Sequence, residues 1–238
     1  MKGLFKTLIK MNLVEKWIYA ILKISALLSV VTTIGIIIVL ASESMGFFRE
    51  VSLVEFLFGT KWGPLLEPKS FGVLPLVVGT LTVVVGSAII ALPIGMVTAI
   101  YLSEYSSSQS RNIIKPILEI LAGIPTVVYG YFALTFVTPI IRSIFPETQI
   151  FNSASASIVV GIMILPMVAS LCDDAIRSVP LDLRQGGFAM GATSYEVIKS
   201  IVVPGAFSGI IASFVLALSR AFGETMAVTL AAGATPNL

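Results

Sequence analysis

Arg220 and Glu224 are the residues best placed to do chemistry, because they stand in an otherwise apolar stretch spanning 206–233. Four residues apart on a continuous helix, they would project from one face. A charge held at mid-membrane costs about 2.5–3.5 kcal/mol on insertion scales, so its retention points to a solute path. A guanidinium binds oxyanions through charge-assisted hydrogen bonds. Glu224 would neutralise Arg220 when such a path is empty, so that the arginine does not become a static anion trap. The competing reading is an ion pair that only fixes helix packing. Thr225 and Ser219 add hydroxyls to the same stretch.

A second constellation is Arg184–Pro204, RQGGFAMGATSYEVIKSIVVP, a polar interruption between two apolar runs. Ser178 can cap a helix with Pro180 in its first turn. That helix would run to about Met190, and Gly191 suits a left-handed C′ position. Thr193 and Glu196 have the Thr-x-x-Glu spacing of a capping box, which starts a second helix ending near Pro204. The expected product is a helix, a glycine turn and a helix. With Phe188, Met190 and Tyr195 as apolar contacts, it would form a knob for docking another protein.

The elements that must position these residues are membrane helices. Apolar residues make up 56% of the chain, charged residues 12%, and mean hydropathy is +1.00. Soluble domains carry about twice that charge fraction. No charge falls in 24–42, 70–103, 120–141, 148–172 or 200–219. Each run is long enough to cross about 30 Å of hydrocarbon as a helix, which satisfies its own backbone there. The expectation is an all-α polytopic bundle with five spans at about 24–42, 72–102, 116–141, 155–176 and 206–233. Residues 24–238 form one membrane domain, with a cytoplasmic loop at 178–204. Pro75 marks an entry segment to the second span. Gly72, Gly79 and Gly86 repeat at seven residues there, a smooth stripe for close helix contact. Gly123–Ile124–Pro125 predicts a kink in the third span, and Pro166 an interruption of the fourth. Asp173 and Asp174 mark a solvated helix end.

Residues 1–23 predict an interfacial amphipathic helix, with Lys2, Lys6 and Lys10 on one face and Leu4, Phe5, Leu8, Ile9 and Leu13 on the other. Trp17 and Tyr19 sit where an aromatic belt belongs. With the N-terminus inside, the inner segments hold Lys2, Lys6, Lys10, Lys16, Lys23, Arg111, Lys115, Arg177, Arg184 and Lys199. The outer ones hold only Arg49, Lys61, Lys69 and Arg142. That asymmetry favours a cytoplasmic N-terminus. The lone Cys172 excludes an intrachain disulfide, and the absence of histidine excludes histidine metal sites and proton relays. No G-x-x-x-x-G-K-[ST] motif occurs, so ATP is not bound in the P-loop manner.

Gly191, nine residues, then Ile201 and Val203–Pro204 resembles the EAA loop of ABC importer permeases. Gln185 stands where that family's usual Glu would be, and Gly186 and Gly187 replace its two Ala. Ile124–Pro125 within EILAGIPTVVYG, Arg220–Val228 (RAFGETMAV), DDAIRSVP and FLFGTKWGP resemble the phosphate-importer branch of PstC type, over nearly the whole chain. The resemblance implies a type I ABC importer permease fold and a transport subunit rather than an enzyme. It implies no catalytic or metal residues and no cofactor of the chain's own. ATP would be used by a PstB-like ATPase homodimer that docks on the coupling loop at Gln185, Gly186, Phe188, Ala189, Gly191, Ala192, Thr193 and Tyr195. The other implied partners are a PstA-like second permease, a PstS-like external phosphate-binding protein and membrane lipid, with no nucleic acid. Arg220, Glu224 and Thr225 would line the translocation path in a bacterial or archaeal plasma membrane.

Three other readings compete with a phosphate permease. One is a permease for another oxyanion. A stand-alone secondary transporter would call for inverted repeats or further intramembrane charges, and a membrane phosphotransferase would call for paired metal-binding carboxylates. Neither pattern is visible. Permeases of this type have six core helices with both termini inside, so against that resemblance the expectation is five visible spans with the sixth missing.

Overall fold

The computed structural model describes residues 13–65 and 67–234. The first half of the amphipathic helix expected over 1–23, with Lys2, Lys6 and Lys10, lies outside them, as does the segment 235–238.

The described residues form two compact units, one within 13–59 and 63–73, the other within 60–62 and 74–234. In the first, α1 (Leu13–Glu50) is a single 38-residue helix with no buried residue. The sequence suggested a surface helix handing over to a span at residue 24. Instead residues 13–23 continue straight into the apolar run, because no Gly, Pro or capping residue stops the helix there. A short helix, α2 (Leu53–Phe58), follows. Phe47 packs edge-on against Phe48, Phe56 and Phe71 at centroid distances of 5.1–5.6 Å. Part of the aromatic FLFGTKWGP stretch therefore closes a local cluster.

The second unit is a helical bundle built around α6 (Ser153–Arg177). Asn152 caps it, its side chain accepting from the Ser155 amide at 2.7 Å. The helix runs unbroken through Pro166, so the expected interruption does not occur. Helix α3 (Leu74–Tyr105) lies along it and ends in a π-helical turn, Tyr101–Tyr105. Pro75 sits in the first turn of α3, where its missing N–H costs nothing.

The predicted glycine stripe splits three ways. Gly72 lies before the helix and abuts Gly59. Gly86 meets Ser157 of α6 so closely that a Cβ would lie 2.5 Å from its hydroxyl. Gly79 has no neighbour within 4 Å of a Cβ and borders an open groove lined also by Phe151, Asn152 and Val228.

The third expected span, 116–141, is two elements. Helix α4 (Ser108–Ala122) is capped by the Ser107 hydroxyl, which accepts from the Ser110 amide. A separate helix, α5 (Thr126–Ile144), is long and apolar enough to cross a membrane. Gly123–Ile124–Pro125 is thus a break between helices. Proline at 125 has no N–H to continue the α4 ladder, and the residue before it is driven toward extended backbone.

The 178–204 region gives α7 (Leu181–Ala189) and then α8 (Ser194–Gly205). Next comes α9 (Phe207–Phe222), bent 68° from α8. The expected fifth span, 206–233, is likewise interrupted, at Gly223–Thr225, before α10 (Met226–Ala232). Among the described residues four helices could each cross a membrane, or five spans if the α8–α9 pair counts as one. The core joins buried Val83, Tyr129, Val160, Met163, Ala221 and Ala227 on α3, α5, α6, α9 and α10.

Candidate functional site

The two helix breaks lie side by side. Arg220, in the last turn of α9, donates through its guanidinium to the carbonyl of Ala122, the last residue of α4, at 3.4 Å. Tyr129 of α5 donates to the neighbouring Leu121 carbonyl at 2.9 Å. These carbonyls belong to the C-terminal end of α4, where the helix macrodipole is negative and a cation is favoured. Helix α10 packs on α5 so closely that a Cβ on Gly130 would lie 2.8 Å from Leu230.

Glu224 does not do what the sequence suggested. It lies in the break beyond α9, not one turn along the same helix, so the i, i+4 argument fails. Its carboxylate accepts from the Ala227 amide at 2.9 Å, which caps the start of α10. No ion pair joins it to Arg220. The expectation of one continuous helix over 206–233 missed this, because Gly223 closes α9 through its N–H to Ser219 O. Arg220, Ser219 and Thr225 are exposed on the isolated chain, while Glu224 is half-buried.

Broken helices within an apolar bundle are informative. Non-helical backbone at membrane depth persists only where protein buries it or where it lines a polar cavity. Discontinuous helices are a common way to build a solute site there. Two such breaks, meeting at a cation that has no carboxylate partner among the described residues, can attract an anion.

At the end of the bundle carrying α7 and α8, the hairpin follows the sequence closely. Gly191 adopts φ +83°, the left-handed region open to glycine. The Ala192 N–H donates to Gly187 O at 3.2 Å and the Gly191 N–H to Phe188 O at 3.0 Å, a Schellman closure. The capping box forms: the Thr193 N–H donates to Glu196 Oε2 at 2.8 Å, and the Glu196 N–H to Thr193 Oγ1 at 3.4 Å. Ser178 does not cap α7. Its hydroxyl donates to Ala175 O and it closes α6, while Pro180 takes the position before α7. Gln185, Gly186, Phe188, Ala189, Gly191, Thr193 and Tyr195 are exposed along the hairpin, and Ala192 is half-buried. Met190 at its tip is 89% exposed, so the hairpin presents apolar side chains that no described residue covers.

Beneath the hairpin is an ion-pair array that sequence reading missed. Asp173 is fully buried and accepts from Arg111 at 2.6 Å, with Lys115 at 3.5 Å. Lys115 also pairs with Asp174 at 2.5 Å. Arg184, on α7, pairs with Glu104 in the π turn ending α3 and donates to Ile176 O of α6 at 2.8 Å. Only Asp174 is the solvated helix-end carboxylate expected of the pair. The available signal was opposite charge at the ends of neighbouring apolar runs, but the partners lie 59–80 residues apart in sequence. Among the described residues no cluster of carboxylates, cysteines and histidines could hold a metal.

Comparison with known proteins shows the family of the chain. Residues 91–236 match the family model described as binding-protein-dependent transport system inner membrane component. The chain is 36% identical over 212 residues to the probable ABC transporter permease protein YqgH of Bacillus subtilis, covering 88% of this chain and 69% of that one. It is 30% identical over 241 residues to the phosphate transport system permease protein PstC of Haemophilus influenzae, covering 92% and 76%. It is 31% identical over 225 residues to PstC 1 of Mycobacterium tuberculosis, covering 81% and 66%. Among solved structures, a chain of the MetNI methionine ABC transporter aligns with TM-score 0.49 and 20% identity, covering 64% of this chain and 68% of that one. The chain belongs to the inner-membrane permease components of binding-protein-dependent ABC importers, on their PstC-type branch.

Proposed function

We propose that this permease carries phosphate inward along a path lined by Arg220, and that a separate ATPase drives it through the α7–α8 hairpin. The observation carrying the reading is the meeting of the Gly123–Pro125 and Gly223–Thr225 breaks at Arg220, whose hydrogen bond among the described residues goes to a backbone carbonyl. A guanidinium so placed is free to exchange that weak bond for charge-assisted bonds to phosphate oxygens. The PstC relatives, named for phosphate transport, support the choice of solute.

The partners follow from what the chain lacks and exposes. It has no P-loop, and the hairpin offers Phe188, Met190 and Tyr195 outward. A PstB-like ATPase homodimer would hold that surface and use ATP. A PstA-like second permease would cover the Arg220 side of the path, and a PstS-like protein would deliver phosphate from outside. The lysine and arginine distribution supports a cytoplasmic N-terminus and hairpin. Transport is then rigid-body alternating access rather than covalent chemistry.

The test is reconstitution of the permease with its ATPase and binding protein in proteoliposomes. ATP-dependent accumulation of radiolabelled phosphate, unaffected by excess sulfate, is the expected result. Accumulation of sulfate in preference to phosphate would replace the solute with another oxyanion. Accumulation without ATP would replace the mechanism with that of a secondary transporter.

A further inference from the structure

The residues that tie the hairpin to the rest of the bundle are specific, and they sit where a force on the hairpin must pass. Helix α7 has only one buried residue, Gly187. Its charged connection inward is Arg184, whose side chain is 13% exposed. One guanidinium nitrogen of Arg184 binds Glu104, also 13% exposed, and another donates to Ile176 O at 2.8 Å. Glu104 is itself held by the Ser103 hydroxyl at 2.9 Å. A single side chain thus bridges α7, the last turn of α3 and the last turn of α6.

We infer that Arg184 is a positioning residue that transmits hairpin movement to the inner ends of α3 and α6, and so couples ATP hydrolysis to opening of the path. Three physical points carry this. The two nitrogens of a guanidinium fork point in fixed directions, so displacing α7 drags both partners rather than swinging one flexible contact. Glu104 lies in a π turn, where the Ser106 N–H reaches back to Tyr101 O at 2.8 Å. Such a turn carries one extra residue and can be tightened or relaxed without unwinding the helix. Finally, α3 and α6 are the most intimately packed pair in the bundle, with Gly86 against Ser157 and Gly95 against Val168. A shift at their inner ends therefore moves them as one body. The Arg111–Asp173 and Lys115–Asp174 pairs do a different task, fixing α4 to α6 without reaching the hairpin.

The inference rests on the ATP-driven reading above, and the experiment separates the two. Complexes carrying Arg184→Gln, Arg184→Lys, and the charge-exchanged double variant Arg184→Glu with Glu104→Arg are reconstituted beside the parent. ATP hydrolysis, its stimulation by the phosphate-binding protein and phosphate accumulated per ATP are measured together. The expected result is that R184Q assembles and hydrolyses ATP, but accumulates about tenfold less phosphate per ATP, a drop in the range of an allosteric coupling term. Partial recovery is expected in R184K and in the exchanged pair. Unchanged phosphate per ATP in R184Q overturns the inference while leaving the proposed function standing. Loss of assembly in R184Q, unrescued by R184K or the exchanged pair, also overturns it, because the contact would then be needed for folding alone. A parent complex without ATP-driven uptake removes the reading on which the inference depends.

Discussion

Arg220 bonds to the carbonyl of Ala122, a residue 98 positions earlier, and by doing so joins the last turn of one broken helix to the last turn of another. At 3.4 Å the bond is long, and Arg220 remains exposed. The first prediction follows. Arg220→Gln keeps a donor for that carbonyl but removes the charge. It should leave the complex assembled, as judged by co-purification, while phosphate uptake falls to background. Normal uptake in R220Q would rule out an Arg220-lined path.

Glu224 offers a separate reading of its role at α10. Glu224→Gln retains an oxygen that can accept from the Ala227 amide, whereas Glu224→Ala does not. Losing such a cap costs about 1 kcal/mol. The thermal midpoint in detergent should therefore drop for E224A and hold for E224Q. Equal drops would show that the charge, rather than the cap, stabilises α10.

Gly191 is strained for any other residue by its φ of +83° alone, since no atom lies within 4 Å of an added Cβ. Gly191→Ala should weaken the hairpin by about 1 kcal/mol, the cost of a side chain in the left-handed region. Gly191→Asn should weaken it less. Amide hydrogen exchange at Ala192 and Gly191, whose N–H groups close the turn, measures this directly.

Asp173 and Asp174 should respond unequally to neutralisation. Asp173 is fully buried between Arg111 and Lys115, and breaking such a pair on one side costs about 3 kcal/mol. Asp174 is 58% exposed, so its pair with Lys115 contributes less than about 1 kcal/mol. Asp173→Asn should lower the unfolding midpoint clearly and Asp174→Asn scarcely. High salt should erase the Asp174 contribution first.

What the residues revealed before any coordinates, and what they concealed, divides along a physical line. Thr193, Glu196 and Gly191 were legible because capping boxes and left-handed turns are settled by a few consecutive residues. The apolar runs placed α3 and α6 to within a few residues, since hydrocarbon solubility depends on length and composition. The ends of α9 and α4 were not legible. Gly223 and Gly123 are common within membrane helices, and only tertiary packing decides whether such a glycine bends a helix or ends it. Arg184, Glu104, Arg111 and Asp173 were hidden for another reason. Each finds its partner across the bundle, and charge at the end of an apolar run reads the same whether water or another helix receives it.

The hairpin also bears on exchange of parts between related permeases. Gly187 lies under Val197 and Ile201, so close that a Cβ there would come within 2.6 Å of the Ile201 terminal methyl. The neighbouring Gly186 has open space around it. Of the two glycines standing where alanine is usual in the EAA loop, one is thus a free choice and the other is confined by Val197 and by Ile201, fourteen residues along. A chimera that imports an alanine-bearing first helix needs the Ile201 terminal methyl to turn aside, or a smaller residue at 201.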